Sequence, residues 1–561
     1  MGARPLLVAS AGRTRLCPTS PDNGEYVSAL LSPPTSVCML RSATRWAFAA
    51  FLSIGATQAQ SPGQLDPSFS DDGKLTLVLD STSPEGASDI VALEGGRTLV
   101  AGTTGGDAVL FVLTPEGELD ASYGDEGLAR IPVGADADAQ GRAGRLISDG
   151  MGGAFVIVSR IEDGVVNKSY VARVSPGGEL DTSYGVDGRA TVGDAEEGGV
   201  FAALAPHPEG GVAVVGLRYT EEGPSLPIVG RFDAGGALDE TFGGAGADAF
   251  IDAGSVPVVP QGLAFDQDGR AVVAGTFFDF EEADFEGFVL RLTPEGELDP
   301  TFANEGVLFP FSRPFVNGFS FLYDVAVSSS GAITAVGSDG ARAVGIRLTA
   351  EGVIEEDFGQ EGRILIPGDD SSSLVSVLLQ SDGKLIAVGS ENGQFDLFAA
   401  RYTAGGDLDP SFGDGGVART QFGPAIGVRG AALAATGEVM LAGSIEIQGL
   451  DDEAGFAFAR LLNDGLPKTG NEAGPSAAEG LRLGAPFPNP THGEVNMPFL
   501  SGSRDVGVDV FNVLGQRVAV AHGRPVATGF LQVDLALLPA GLYLLRVTDG
   551  ASSVTRPIVK R

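Results

Sequence analysis

Short apolar runs alternate with Gly-rich turns along most of this chain, and the pattern repeats through residues 65–465. Each repeat opens on Leu-Asp-Pro-Ser-Phe or a close variant. A β-branched run that closes on Gly comes about midway, as in Ala271-Val-Val-Ala-Gly275, and an apolar run containing Arg ends the unit. The opening phrase occurs seven times, starting at Leu65, Leu119, Leu180, Leu238, Leu298, Ile354 and Leu408.

Each unit has the apolar pattern of four short strands, which is the content of one propeller blade. A single four-stranded sheet cannot bury both of its faces, but sheets packed around an axis can. We therefore predict an all-β chain with a seven-bladed β-propeller over residues 60–465. An open solenoid is the structural alternative, and it needs polar caps that we do not find at either end.

An Arg recurs eight residues before the acidic residue of the following phrase. One interpretation is a ring of charge that binds a ligand. The other is a repeated ion pair that ties a strand end to the next turn, and we favour it because nearly every unit has one. The same reasoning assigns the aromatic residue of each phrase to the core. The pairs are Arg173 with Asp181, Arg231 with Asp239, Arg291 with Asp299, Arg347 with Glu355, and Arg401 with Asp409, and Arg460 fills the slot in the last unit.

The period and the Leu-Asp-Pro-Ser-Phe-Gly phrase resemble the delta-60 repeat family of bacterial secreted proteins. The resemblance covers about 400 residues of the chain. It implies a propeller-like fold and brings no established chemistry with it.

The C-terminal residues 481–561 alternate apolar and polar positions, and we predict that they form a small Ig-like β-sandwich. A flexible linker, residues 466–480, precedes them. Four segments resemble the type A C-terminal sorting domain of the type IX secretion system: a Pro-Asn-Pro turn, a central hairpin, a Leu-Pro-Ala-Gly segment and a basic end. The residues that carry the resemblance are Pro488, Asn489, Pro490, Gly493, Gly515, Gly541 and Lys560.

This resemblance implies a Bacteroidetes-type bacterium and contact between residues 481–561 and the type IX secretion machinery. It places the protein outside the cell, either released or on the outer-membrane surface. An ordinary Ig-like adhesion module is the alternative for the same residues.

Residues 39–59 combine a basic start, an apolar run and small residues before Gln60, as a secretory signal peptide does. We predict that translation begins at Met39 and that residues 1–38 are a mis-annotated upstream extension; a genuine extended leader is the alternative. Cys17 and Cys38 both precede the predicted cleavage position. The mature chain would then contain no cysteine, so packing alone must stabilise it.

Acidic residues outnumber basic ones by 73 to 36, which gives a formal net charge of −37. Nucleic acids and anionic membrane surfaces are therefore not expected as partners, because both would repel such a chain. No apolar run is long enough to predict a transmembrane segment.

The chain offers little material for catalysis or for metal binding. Its three histidines include one in the repeat region, His207, which we expect in an exposed turn. A Ser-His-Asp triad or a two-histidine metal site thus has almost no donors there. Asp136-Ala-Asp138 begins like a calcium loop, but Ile147 stands where the bidentate Glu belongs. We expect no cofactor, with calcium as the one candidate, and we name no catalytic residue.

Three functions remain for the exported chain. The first, which we favour, is a non-enzymatic binding or scaffold protein that recognises an extracellular glycan or protein. The second is a secreted hydrolase or lyase that acts on glycans through propeller carboxylates, and the third is a purely structural surface component. A cluster of acids, Tyr and Arg in the central channel that does not repeat would favour catalysis.

Overall fold

The computed structural model describes residues 61–464 and 482–561, apart from short segments within those ranges. The predicted upstream extension, signal peptide and linker lie outside the described residues. The undescribed segments are 81–84, 134–139, 163–164, 193–198, 209, 221–222, 244–248, 251–257, 280–283, 312–318, 341, 367–371, 392–395, 423–426, 447–453, 484–493, 501–506, 513–516, 522–523, 527–529, 537, 540 and 549–552.

The repeat region is built from four-stranded antiparallel sheets, and its described residues contain seven of them. The first strand of the chain, β1 (Lys74–Leu77), belongs to the last of these sheets. The other six sheets each consist of four consecutive strands. The first sheet contains β2 (Gly86–Ala92), β3 (Thr98–Thr104), β4 (Asp107–Leu113) and β5 (Ala129–Ile131), and the second contains β6 (Gln140–Ser148), β7 (Ala154–Glu162), β8 (Val165–Val174) and β9 (Arg189–Ala190). The third sheet contains β10 (Gly199–Pro206), β11 (Val212–Thr220), β12 (Gly223–Phe232) and β13 (Ala249–Phe250), and the fourth contains β14 (Val258–Phe265), β15 (Ala271–Asp279), β16 (Asp284–Leu292) and β17 (Val307–Leu308). The fifth sheet contains β18 (Phe321–Val327), β19 (Ile333–Ser338), β20 (Ala343–Leu348) and β21 (Arg363–Leu365), and the sixth contains β22 (Ser373–Leu379), β23 (Leu385–Glu391), β24 (Asp396–Tyr402) and β25 (Val417–Gln421). A single turn of 3₁₀ helix, Glu94–Gly96, precedes β3.

The seventh sheet joins the two ends of the repeat region. Its strands are β26 (Val428–Leu433), β27 (Val439–Glu446) and β28 (Ala454–Leu461), and β1 pairs antiparallel with β28 as the outer strand. The first strands of adjacent sheets contact one another in order, and β2 contacts both β6 and β26. The sheets therefore close into a ring whose inner strands are β2, β6, β10, β14, β18, β22 and β26. The propeller fold predicted from the repeat is confirmed, and the open solenoid is wrong.

The core lies between adjacent sheets. Phe111 of the first sheet packs edge-on against Phe456 of the seventh, with ring centroids 5.0 Å apart. The aromatic residue of every opening phrase is buried, as expected for a residue that fills the space between blades. These aromatic residues are Phe69, Tyr123, Tyr184, Phe242, Phe302, Phe358 and Phe412.

Two further four-stranded antiparallel sheets lie in the described part of residues 482–561. The first contains β29 (Arg482–Leu483), β30 (Glu494–Leu500), β33 (Arg524–Val526) and β34 (Phe530–Asp534), and the second contains β31 (Gly507–Asn512), β32 (Arg517–Ala521), β35 (Gly541–Thr548) and β36 (Ser553–Lys560). Alternate residues of β31 and β35, including Val508, Val510, Leu545 and Val547, are buried. The alternation that predicted strands here is the burial pattern that these strands show; the Ig-like topology stays a prediction.

Two of the sorting-motif residues lie within these strands. Gly541 opens β35 and is the register partner of Lys560, which ends β36. The other five, Pro488, Asn489, Pro490, Gly493 and Gly515, lie outside the described residues.

Candidate functional site at the inner strands

The arginines that recur in the sequence all lie beside their expected acidic partners. Each pair joins the third strand of a sheet to the turn that leads to the fourth strand. The pairs and their distances are Arg173 Nη1 to Asp181 Oδ2 at 3.6 Å, Arg231 Nε to Asp239 Oδ2 at 2.8 Å, Arg291 Nε to Asp299 Oδ2 at 2.8 Å, Arg347 Nε to Glu355 Oε2 at 3.2 Å, and Arg401 Nη2 to Asp409 Oδ2 at 3.0 Å.

Arg291 shows what such a pair does. Its guanidinium lies 4.9 Å from the centre of the Phe302 ring, and its Nη1 donates to the carbonyl of Ala350 in the next sheet. Burial by itself raises the pKa of Asp299, but hydrogen bonds from Thr301 and the charge of Arg291 outweigh it and lower that pKa. Arg291 is 2% exposed, so this side chain is buried and cannot contact a ligand. We call each such Arg–carboxylate pair, with its contact to the next sheet, a blade joint.

The inner strands differ from one sheet to the next, in contrast to these joints. Each inner strand carries a β-bulge near its start, and a bulge re-aims the side chain that it inserts. The side chains at the bulges are partly or fully exposed and follow no repeat. They are Ser88, Arg145, Ala202, Gln261, Tyr323, Val375 and Arg429.

Two aspartates occupy one register position next to these bulges. Asp89 on β2 lies opposite Ala101, and Asp324 on β18 lies opposite Val336; in both sheets the next residue of the partner strand is the mid-unit Gly. Asp89 accepts hydrogen bonds from the backbone N–H of Ile90 at 2.9 Å and of Leu146, in the neighbouring sheet, at 3.0 Å. Asp324 accepts the N–H of Val377 in its own neighbouring sheet at 2.9 Å. These carboxylates therefore tie adjacent inner strands together.

Both aspartates are harder to ionise than an ordinary carboxyl group. Burial raises the pKa of Asp89 to about 6; the Arg145 charge and the two N–H donors act against burial, whereas the negative charge of Asp324 adds to it. Burial also raises the pKa of Asp324. Arg145 Nη1 lies 3.9 Å from Asp89 Oδ1 and acts on both aspartates. The inner strands thus hold two carboxyl groups and an arginine in one electrostatic cluster.

A cationic sector lies on three successive inner strands, β26, β2 and β6. Arg429 and Arg142 are exposed, and Arg142 Nε donates to Ser88 Oγ at 3.2 Å. Partial removal from bulk water and the nearby charge of Arg429 lower the pKa of Arg142. Two guanidinium groups are therefore close enough to repel each other.

An aromatic run lies at the start of another inner strand, β18. The ring of Phe285 is 5.7 Å from that of Phe319 and 5.5 Å from that of Phe321. Phe321 in turn stacks parallel to Tyr323 at 6.2 Å, and Phe278 lies 4.7 Å from Phe285. Phe319 is 41% exposed and Phe321 and Tyr323 are partly exposed, so parts of these aromatic side chains reach solvent.

Gln261 is the bulge residue of β14, the inner strand next to β18. Its Oε1 atom is buried and has no hydrogen-bond partner within the described structure. Its neighbour Gly262 approaches β18 so closely that a Cβ there would lie 3.0 Å from the Cα of Asp324. An unsatisfied acceptor therefore lies on the inner strand adjacent to β18.

His207 does not lie in an exposed turn, and that expectation is wrong. The residue is 6% exposed, its ring packs edge-on against Phe265 at 4.9 Å, and its Nε2 lies 3.4 Å from Arg231 Nη1. Burial, followed by the charge of Arg231, lowers the pKa of His207 to about 4. The neutral ring belongs to a blade joint, in the place that Asp149 takes beside Arg173.

A cleft of about 510 Å³ lies away from the inner strands, between the fifth and sixth sheets. Phe311, Tyr402, Arg363 and Asp407 are among its lining residues. Arg363 stacks over Phe311, with its guanidinium 5.8 Å from the ring, so part of this lining is already engaged in packing.

No group of three or more His, Cys, Asp or Glu side chains that could hold a metal ion occurs among the residues that the structure describes. The calcium-like loop at Asp136 and Asp138 lies outside them. Within the described ranges, the strand-rich chain also has no helix of the length and apolarity needed to cross a membrane.

Sequence reasoning missed every residue of the inner-strand cluster. The sequence nevertheless contains an indication of the site, because each of its residues lies in the segment just before the β-branched run that closes on Gly. Comparing the seven units position by position in this segment shows Asp in two of them, at Asp89 and Asp324, and Ala, Gly or Ser in the others. The residues that recur from unit to unit belong to the blade joints, whereas the residues of the inner-strand site do not recur.

Two family profiles match parts of the chain. Residues 485–561 match the "secretion system C-terminal sorting domain", and residues 267–302 and 380–412 match the "domain of unknown function (DUF5122) beta-propeller". No curated protein matches the chain.

Solved propeller-containing structures are similar to it at the level of fold. YCF48 from Cyanidioschyzon merolae is 11% identical, with 69% of this chain and 98% of that chain covered and a TM-score of 0.39. An alpha-L-arabinofuranosidase from Fusarium graminearum is 10% identical, with coverages of 68% and 95% and a TM-score of 0.34. Regucalcin, a calcium-binding protein from Agrobacterium tumefaciens, is 10% identical, with coverages of 70% and 96% and a TM-score of 0.32. Such values carry no information about the chemistry of this chain.

The sorting-domain match covers the segment whose motifs predicted it, and the propeller match falls within the repeat. Together with the closed ring of sheets, these two matches define the fold of the protein and its localisation. The chain is a propeller-like protein, secreted or attached to the cell surface, that carries the C-terminal sorting domain of the type IX secretion system of Bacteroidetes.

Proposed function

We propose that this exported propeller is a binding protein that recognises an extracellular saccharide at its inner strands. The observation that carries the proposal is the contrast between joints and bulges. The Arg–carboxylate joints recur from sheet to sheet and are buried or half-buried, whereas the bulge residues vary among Ser, Arg, Ala, Gln, Tyr and Val and are at least partly exposed. In a repeat protein the recurring residues serve the fold, so ligand recognition belongs where the repeat breaks.

The aromatic run favours a saccharide as the ligand. Sugar rings present apolar C–H faces that pack against exposed aromatic rings, and Phe319 and Phe321 offer such rings at the start of β18. Gln261, on the adjacent inner strand β14, holds a buried acceptor, Oε1, that has no partner among the described residues. Because leaving such an acceptor unsatisfied costs about 1–3 kcal/mol, a ligand hydroxyl that donates to it would contribute to affinity.

A glycan array probed with the purified full chain tests this function. We expect binding to a subset of saccharides, and we expect the double substitution Phe319→Ala, Phe321→Ala to weaken it with little change in the melting temperature. Val353→Ala is the matched control, since Val353 is a 60% exposed apolar side chain in a turn outside the aromatic run. Absence of any saccharide binding by the wild-type protein would contradict the proposal.

A glycan hydrolase or lyase is the second candidate, because Asp89 has a pKa near 6 and thus resembles a general acid. We place it second because Asp89 and Asp324 each accept a hydrogen bond from a backbone N–H of the neighbouring inner strand, which indicates a structural role. Chromatography of array-positive saccharides after prolonged incubation with the protein distinguishes the two. Shortened products that disappear in Asp89→Asn would establish catalysis, and intact saccharides support binding alone.

A further inference from the structure

We propose that Arg142, Arg429 and Ser88 form an anion subsite, and that the saccharide bound at the inner strands carries a carboxylate or sulfate group there. This inference rests on the proposed saccharide-binding function and narrows the ligand to an acidic saccharide. It assigns the charge recognition to β26, β2 and β6, and the ring stacking to β18.

The three residues come from strands that are adjacent in the ring. A Cβ on Gly430 would lie 2.6 Å from Asp89 Oδ1 and 2.9 Å from Asp89 Cα, so β26 and β2 touch at this level. Arg429 directly precedes Gly430, and Ser88 directly precedes Asp89. On the other side of β2, Arg142 reaches Ser88 Oγ with its Nε at 3.2 Å. The three residues therefore lie on adjacent strands, and Arg429 is near enough to Arg142 for its charge to act on the Arg142 guanidinium.

These two arginines differ from the other inner-strand and blade-joint arginines. Arg145 lies 3.9 Å from Asp89, and Arg291 forms a buried pair with Asp299. Within the described residues, neither Arg142 nor Arg429 forms an ion pair with a carboxylate. Neighbouring like charges repel, and an anion placed between them relieves that repulsion.

The donor geometry suits an oxyanion. A guanidinium donates two parallel N–H bonds to a carboxylate or a sulfate, and it remains charged at every pH that a protein experiences. Ser88 Oγ accepts from Arg142 and keeps its own proton, which it can donate to a third ligand oxygen. The subsite thus recognises the group by shape as well as by charge.

The net negative charge of the whole chain does not cancel the attraction of Arg142 and Arg429 for an anionic ligand group. The formal charge of −37 is distributed over a large surface, and at physiological ionic strength charges more than about 8 Å apart are largely screened. Asp89, which follows Ser88 on β2, is already engaged by Arg145 and by two backbone N–H groups. Local contacts with Arg142 and Arg429 therefore determine which ligand group is preferred.

Titration calorimetry on the purified full chain tests the subsite with matched ligands. An oligogalacturonide carries carboxylates that its methyl ester replaces with neutral ester groups on the same saccharide backbone, and dextran sulfate with dextran provides the corresponding sulfate comparison. We expect the acidic member of at least one pair to bind about tenfold more tightly or better, as charge-assisted hydrogen bonds require. The preference should decline as sodium chloride is raised.

The double variant Arg142→Gln, Arg429→Gln should lose this preference while it keeps the wild-type melting temperature and the affinity for the neutral member. Arg130→Gln is the control, because it removes a guanidinium charge from the outer strand β5, where Arg130 forms an exposed pair with Asp107 of β4. Equal wild-type affinity for acidic and neutral members, or a preference that survives in the double variant, would overturn the subsite and leave saccharide binding intact. Failure to bind any saccharide would instead overturn the proposed function.

Discussion

Arg460 Nε donates to Asp66 Oδ2 at 2.8 Å across 394 residues of sequence. Arg460 lies on β28, and Asp66 belongs to the first Leu-Asp phrase, just before β1. The guanidinium also lies 5.0 Å from the centre of the Phe69 ring and donates to the carbonyl of Pro115 in the first sheet. The joint that recurs inside the chain is therefore also the joint that closes the ring, made from the two ends of the repeat region.

The closing pair should contribute measurably to stability. Replacing Arg460 with Met leaves the Asp66 carboxylate buried without its cation, and losing one partner of a buried pair costs about 3–5 kcal/mol. Urea unfolding followed by circular dichroism measures the change. Arg291→Met should behave in the same way, whereas Arg130→Met, which breaks an exposed pair, should cost about 1 kcal/mol or less. Equal unfolding midpoints for all three variants would show that the joints are not stabilising.

The Asp89 carboxyl group should make stability depend on pH. Burial raises its pKa from 3.8 to about 6, so the folded state prefers the protonated group. Below pH 4 the group is protonated in both the folded and the unfolded state, so Asp89 does not lower the free energy of unfolding. The destabilisation develops as the pH rises from about 4 through 6. Asp89→Asn should be more stable than wild type at pH 7, by on the order of 1–3 kcal/mol, and should lose that advantage at pH 4. Urea midpoints of both proteins across this range measure the difference; an advantage that does not change with pH would contradict the assignment.

Close approach at Gly430 should be essential to the inner ring. An Ala Cβ at this position would lie 2.6 Å from Asp89 Oδ1 and 2.9 Å from Asp89 Cα, so β26 and β2 would have to separate. We expect Gly430→Ala to lower the free energy of unfolding by about 1–3 kcal/mol. Gly177→Ala is the control, because the nearest atom to its added Cβ is 3.7 Å away. Thermal unfolding measures both variants, and similar melting temperatures would refute the tight contact.

The C-terminal segment should be sufficient for export. Residues 481–561 fused to a periplasmic reporter, in a bacterium that has the type IX system, should carry the reporter to the surface or the medium because this segment contains the sorting domain. Immunoblots of periplasm, outer membrane and medium follow the reporter. A fusion in which residues 541–561 are scrambled disrupts β35 and β36 and should remain in the periplasm. Periplasmic retention of the intact fusion would contradict the sorting role.

The blade joints could be predicted because they are local. Arg291 and Asp299 are separated by eight residues that form the end of a strand and a tight turn, so their spacing in sequence already implies proximity. The same holds for the phrase aromatic beside each Arg, such as Phe302. His207 misled us because two flanking prolines suggested an exposed turn, whereas the blade packing around Phe265 encloses the ring.

The repeat in the sequence thus accounts for the number of units, for the strands within each unit and for the joints whose two residues lie eight positions apart, since all of these depend on residues near one another along the chain. The closing joint between Arg460 and Asp66 joins residues that are 394 positions apart, and it forms only when the ring closes. The inner-strand site depended on ring closure. Asp89 and Asp324 act on each other's charge from the first and fifth sheets, and Arg142 meets Ser88 from an adjacent sheet. No spacing in the sequence links these residues, because the bulges that re-aim them and the ring that brings β26 against β2 exist only once the sheets have packed.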